Sequence, residues 1–93
     1  MEIKPWYVYM VECADGTIYT GITNDVEARI IKHNSGKGAK YTRTRGPVKL
    51  KACWSFEFKS EAAKAEYAFK QLSRAEKMKL IQAQRLRSPI KIF

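Results

Sequence analysis

Arg29 and His33 stand four residues apart in the segment VEARIIKHN, a spacing that puts a guanidinium and an imidazole on one side of a helix. A guanidinium donates two parallel hydrogen bonds to phosphate oxygens and stays charged at any working pH. Arg29 therefore suits the charge that develops on a phosphate under attack. His33 is the single histidine of the chain. Its imidazole has two readings: it holds a water or a neighbouring side chain for chemistry, or it is a satisfied structural residue beside an apolar face. Glu66 is the acid whose place needs explaining. On a helix starting near Glu61 it falls between Ala62 and Phe69 on the apolar side, where a carboxylate is costly unless paired or bound to metal. An ion pair with Arg29 or Lys70 is one reading. The other is a site for Mg²⁺ or Mn²⁺, hard cations that one carboxylate can hold together with waters and substrate phosphates.

The segment NSGKGAKYTRTRGP, Asn34 to Pro47, reads as a long loop carrying Lys37, Lys40, Arg43 and Arg45 among glycine and small polar residues. Tyr41 lies beside them, able to stack on a base. Such a run is ordinarily a solvated loop. Following directly on the Arg29/His33 helix, it is placed to grip a substrate backbone.

The elements that must position these groups follow from periodicity. WYVYMVEC, Trp6 to Cys13, is β-branched and aromatic and reads as a largely buried strand. Asp15-Gly16 is a turn dipeptide, and TIYTGI, Thr17 to Ile22, is the returning strand of an antiparallel hairpin. Tyr9 and Tyr19 lie on these neighbouring strands, where phenols commonly pack a core. Asn24 with Glu27 reads as a capping box for a helix from about Asp25 to Asn34, with Val26 and Ile30 on its core stripe and Arg29 and His33 at the stripe's edge. From Val48 the chain alternates: Val48, Leu50, Ala52, Trp54, Phe56 and Phe58 point one way, and Lys49, Lys51, Cys53, Ser55 and Glu57 the other. Ser60 is the expected cap of a second helix, roughly Glu61 to Leu72. Ser73 and Glu76 form a further capping box for a third helix to about Leu86, ended by Ser88-Pro89 and a short extended tail. The order β-β-α-β-α-α makes an α+β domain, a small three-stranded antiparallel sheet flanked by helices.

On these residues the chain resembles the GIY-YIG nuclease superfamily. YVY, ending at Tyr9, and YTG, from Tyr19 to Gly21, stand where that family has its two name-giving tripeptides. Arg29, His33 and Glu66 follow in the family's order. Stretches such as TGITND and HNSGKGAKYT are similar to its small, stand-alone bacterial members. The glycine and isoleucine of the first tripeptide are replaced here, and the tyrosine is kept as Tyr9. The resemblance implies hydrolysis of DNA phosphodiester bonds with a divalent metal, in settings such as repair or recombination. Tyr19 is then the general base with Tyr9 hydrogen-bonding beside it, Arg29 the transition-state cation, His33 an auxiliary and Glu66 the metal ligand. Gly21 would let backbone or substrate approach closely, or simply end a strand.

Length and charge agree with one such domain over residues 1–93, its core about 4–82 and its tail about 87–93. Hydrophobic residues at 45% and charged residues at 29% make a globular composition rather than a disordered one. The chain holds 18 Lys and Arg against 9 Asp and Glu, a net charge of +9. Such an excess favours a polyanionic partner, because neutralising phosphates releases condensed counterions. DNA is the expected partner, branched or damaged forms included, with RNA and an accompanying protein partner also compatible. A nucleic-acid binding module with a weak or vestigial site is the rival reading, and it shares the same charge. Cys13 and Cys53 match no zinc spacing and no CxxC motif, and one disulfide between them is arithmetically open. With no signal peptide and no apolar run of the ~20 residues that span a bilayer, the expectation is a cytoplasmic protein with reduced thiols and no membrane partner.

Overall fold

The hairpin is organised from its turn outward. Asp15 accepts hydrogen bonds from the Thr17 backbone N–H and hydroxyl at 3.1 and 2.6 Å, and Gly16 takes the left-handed φ of +85° that side chains disfavour. From there β1 (Trp6–Glu12) and β2 (Ile18–Thr23) pair antiparallel, Tyr9 opposite Gly21 and Val11 opposite Tyr19. The computed structural model describes residues 4–37, 40–43 and 45–87, without the side chains of Lys40 and Tyr41. Of the tail expected at about 87–93, Arg87 belongs to the last helix and 88–93 lie outside the described residues.

The third strand, β3 (Lys49–Phe56), pairs with the other side of β1, giving the antiparallel order β2-β1-β3. Central β1 is buried on both faces, which explains its unbroken apolar run Val8, Tyr9, Met10 and Val11. One face gathers Tyr9, Val11, Cys13 and Val48 under Ile30. The other gathers Met10, Ile18, Ala52 and Ile81 with Trp54, Phe69 and Met78.

This two-sided core corrects the single alternation expected for β3. Val11 pairs with Leu50 but Met10 with Ala52, so a bulge leaves Lys51 as the extra residue. The bulge switches faces: Val48 and Leu50 join the Tyr9 cluster, Ala52 and Trp54 the opposite one, and Cys53 returns to the Tyr9 side. Phe58, expected in the same stripe, is 57% exposed and precedes the next helix. Both cysteines are free thiols.

Helix α1 (Val26–Asn34) is capped one residue later than expected. The Asp25 carboxylate, not Asn24, accepts from the Ala28 N–H at 3.1 Å. The expected loop 34–47 contains a one-turn helix, α2 (Lys40–Arg43). Helix α3 (Lys59–Lys70) begins two residues earlier than expected, with the Glu61 carboxylate accepting from the Phe58 N–H, so Ser60 sits in the first turn rather than at the cap. The Ser73/Glu76 box does open α4 (Arg74–Arg87), each side chain accepting the other residue's N–H at 3.2 and 2.9 Å. Among the described residues no helix is long and apolar enough to cross a membrane.

Asn34 closes the base of the basic segment. Its side-chain oxygen accepts from the Val48 N–H at 2.7 Å and its amide donates to the Val48 carbonyl at 3.3 Å. Asn34→Ala leaves both backbone groups of a buried residue without these partners and should cost about 1–3 kcal/mol. Urea denaturation of the two proteins measures the difference, and equal midpoints would show that water replaces both bonds.

Candidate active site

The Tyr9 ring lies across the neighbouring strand because Gly21 has no side chain there. A Cβ on Gly21 would stand 2.6 Å from the Tyr9 hydroxyl and 2.8 Å from Cζ, closer than real contacts allow. The close approach expected at Gly21 is therefore that of Tyr9 itself, and Gly21 lies within β2 rather than at its end.

Around this phenol the fold assembles groups from three elements. The Tyr9 hydroxyl is 2.9 Å from His33 Nε2, and Arg29 Nε donates to it over a longer 3.4 Å. His33 Nδ1 is 2.6 Å from the Thr42 hydroxyl on α2. The Tyr19 ring meets the imidazole edge-on, with centroids 5.5 Å apart, and lies 6.4 Å from the Tyr9 ring. Tyr9, Tyr19, Arg29 and His33 thus form one cluster with the imidazole at its centre. The edge position expected for His33 is overturned: it is 1% exposed, more buried than the stripe residues Val26 and Ile30. Two hydrogen-bonded nitrogens make that burial tolerable.

Burial also sets the protonation states. It pushes the Tyr9 phenol above the ordinary tyrosine value, outweighing the pull of the Arg29 hydrogen bond and charge. Tyr9 is a neutral phenol at physiological pH. His33 is held below the usual imidazole value, first by burial and then by the Arg29 cation, so its ring is neutral as well.

Glu66 reaches the cluster by its field. Its charge is one of the influences raising Tyr9, while its carboxylate pairs with Lys70 at 3.4 Å, the second of the two ion pairs considered for it. Its side chain is 22% exposed, half-buried rather than inside the core. A divalent cation would find a hard oxygen donor there, open on one side to water and phosphate, which fits Mg²⁺ or Mn²⁺. Among the described residues no group of three His, Cys, Asp or Glu offers another place.

The basic segment divides. Lys37 and Arg43 are exposed. Arg45 instead pairs with Asp15 at 3.2 Å, and its carbonyl accepts from the Ala14 N–H, so it anchors the segment to the hairpin turn. The side chains of Lys40 and Tyr41, including the stacking expected of Tyr41, lie outside what is described. Thr42 is the residue sequence reasoning missed. Nothing in KYTRTR distinguishes it from Thr44 until the one-turn helix points it inward to 0% exposure.

A three-stranded antiparallel sheet flanked by helices, with two tyrosines, an arginine and a histidine gathered together, defines a small α+β domain. Residues 5–80 match the GIY-YIG catalytic domain. UPF0213 protein BH0048 of Halalkalibacterium halodurans is 59% identical over 75 residues, covering 81% of this chain and 80% of the relative. A UPF0213 protein of Halobacterium salinarum is 59% identical over 71 residues, 76% of this chain and 92% of the relative. The solution NMR structure of EF2693 from E. faecalis aligns with a TM-score of 0.63 at 41% identity, covering 97% of this chain and 96% of that one. The chain belongs to the GIY-YIG family, alongside the small UPF0213 proteins. That is a nuclease family, whose substrates are in general nucleic acids and whose members in general use a divalent metal.

The buried neutral His33 makes stability depend on pH. With its folded pKa below the ~6.5 of a free imidazole, the unfolded chain binds the proton first as pH falls. Stability is therefore full above about pH 6.5 and declines below it. Asp15 and Glu76, both lowered from ordinary carboxylate values, titrate in a more acid window. Denaturation midpoints between about pH 7.5 and pH 5 should fall for the wild type and fall less for His33→Gln. Equal slopes would assign the loss to another group.

Proposed function

We propose that this domain is a metal-dependent endonuclease acting on DNA. The observation that carries the reading is the contact of Arg29 and His33 with one phenol, beside a second phenol, in a chain of a nuclease family. In this reading each side chain has a distinct task. Tyr9, kept protonated by burial, orients its neighbours and takes no proton from water. Tyr19 is the phenol left to accept the proton of the attacking water. The Arg29 Nε–H is engaged on Tyr9, and its terminal nitrogens receive the phosphate oxygens as their charge grows. His33 is neutral, buried and bonded through both nitrogens, which suits holding Tyr9 and not activating water. Glu66 would hold Mg²⁺ or Mn²⁺ in place of its Lys70 partner. When bound, the cation supplies charge stabilisation at the scissile phosphate and leaving oxygen. Lys37 and Arg43, with Lys40 and Tyr41 beside them on the chain and Arg45 as anchor, grip the DNA backbone.

A single-turnover nicking assay with Mg²⁺ or Mn²⁺, over duplex, branched, damaged and single-stranded DNA, tests the chemistry. Glu66→Gln should abolish nicking while folding persists. Tyr19→Phe should slow it by about 10²–10⁴-fold. A general base works in its deprotonated form, so the wild-type rate should climb with rising pH and the Tyr19→Phe rate should not. A near-wild-type rate and pH profile in Tyr19→Phe would remove Tyr19 as the base. DNA binding with no metal-dependent nicks on any substrate would leave a binding module whose site is weak or needs a partner.

The grip has its own test. Affinity should fall steeply with salt and depend little on sequence, and the logarithmic slope should drop by roughly one for each phosphate that a variant no longer neutralises. Lys37→Ala with Arg43→Ala should weaken binding and flatten the slope together. Weaker binding at an unchanged slope would move the phosphate-binding surface elsewhere.

A further inference from the structure

We infer that Thr42 is a positioning residue of this site: its buried hydroxyl accepts the Nδ1–H of the His33 ring whose Nε2 accepts the Tyr9 proton, and so ties the basic segment to the cluster. Thr42 is 0% exposed although its neighbour Arg43, and Lys37 earlier in the segment, stand in solvent. The short α2 turns this one hydroxyl inward to within 2.6 Å of His33 Nδ1.

The tautomer follows from counting protons. A guanidinium only donates, so the Tyr9 oxygen is the acceptor of the Arg29 Nε–H. The phenol's own proton then needs an acceptor, and at 1% exposure water does not provide one. His33 Nε2, 2.9 Å away, provides it when it carries the lone pair. A neutral imidazole with its lone pair on Nε2 bears its hydrogen on Nδ1, and that N–H points at Thr42. In the other tautomer the Tyr9 oxygen would receive two donors and its proton would be stranded in the core. The chain of bonds therefore runs one way, from Tyr9 through His33 to Thr42, with Arg29 donating in at its head.

Thr42 has two consequences for the site. It fixes where the Tyr9 oxygen presents its lone pair, and so where the Arg29 guanidinium stands. It also makes the segment bearing Lys37 and Arg43 a structural partner of the phenol. The catalytic consequence rests on the nuclease reading above; the tautomer does not.

Nitrogen-15 NMR of the His33 ring, recorded above neutral pH, reads the tautomer directly. The wild type should show a protonated Nδ1 and an unprotonated Nε2. Thr42→Val, nearly the same shape without the hydroxyl, should keep the Nδ1–H form that Tyr9 requires but move the Nδ1–H proton resonance upfield as its acceptor is lost, and Thr42→Ser should restore the wild-type resonance. On a nicked substrate Thr42→Val should lower kcat on the order of tenfold with little change in DNA affinity, and Thr42→Ser should recover it. A wild-type ring in the Nε2–H form overturns the inference by itself, even if Thr42→Val does not fold. So does a Thr42→Val ring whose Nδ1–H resonance stays where the wild type has it. If no variant nicks DNA, the nuclease reading fails while the ring spectra still decide the role of Thr42.

Discussion

The interior of this domain is organised around a neutral imidazole held between two hydroxyls. Burying His33 without partners would cost free energy for each nitrogen, and with Tyr9 at 2.9 Å and Thr42 at 2.6 Å neither is left bare. Much else follows from keeping that arrangement. Gly21 must be small so that the Tyr9 hydroxyl can lie over the next strand. Helix α1 must start at its Asp25 cap so that Arg29 and His33, one turn apart, both face the phenol. The segment after α1 must fold back far enough to deliver Thr42, which the Asn34 bonds to Val48 and the Arg45 pair with Asp15 hold in reach.

The bulge in β3 serves the same end. A regular strand would give the sheet one apolar and one polar face, yet this sheet is covered on both sides. Passing the extra Lys51 moves Val48 and Leu50 under α1 and Ala52 and Trp54 under α3 and α4. Trp54 then packs edge-on against Phe69 at 5.0 Å, which helps seat the helix that carries Glu66. The phenol–imidazole cluster and the carboxylate are thus borne by elements whose relative placement depends on one irregular residue.

Element types and order were legible in the sequence because they rest on strong periodicity: the aromatic β1, the Asp15-Gly16 turn and the reciprocal Ser73/Glu76 cap. Boundaries shifted by a residue or two where side chains compete, as Asp25 outcompeted Asn24 and Glu61 capped the Phe58 N–H ahead of Ser60. The bulge was hidden because Lys49 and Lys51 keep the polar alternation intact on paper. The gathering of Tyr9, Tyr19, Arg29 and His33 was anticipated through family resemblance and helical spacing. The burial of His33 was not, since it depends on Thr42, a long-range partner on a helix of one turn. Arg45 was grouped with the other cations because composition does not reveal an ion pair.

The distribution of acids sharpens the contrast between the site and the rest of the surface. Of the 9 acids, Asp15 organises the hairpin turn and binds Arg45, Asp25, Glu61 and Glu76 accept backbone N–H groups at helix starts, and Glu12 meets Arg74. Most of the negative charge is thereby committed to local structure, and the surplus of +9 is left to attract a polyanion over the surface. A free divalent cation is repelled by that same field. Glu66 is the acid whose charge reaches the phenol cluster, and its carboxylate is paired with Lys70. One carboxylate with a competing ammonium, inside a positive domain, is a poor metal site by itself. In the proposed chemistry it would improve once DNA phosphates neutralise the surrounding cations and add oxygen ligands. In the proposed chemistry, metal and nucleic acid therefore bind as a linked pair, and the domain's basicity keeps the site weak until its substrate is in place.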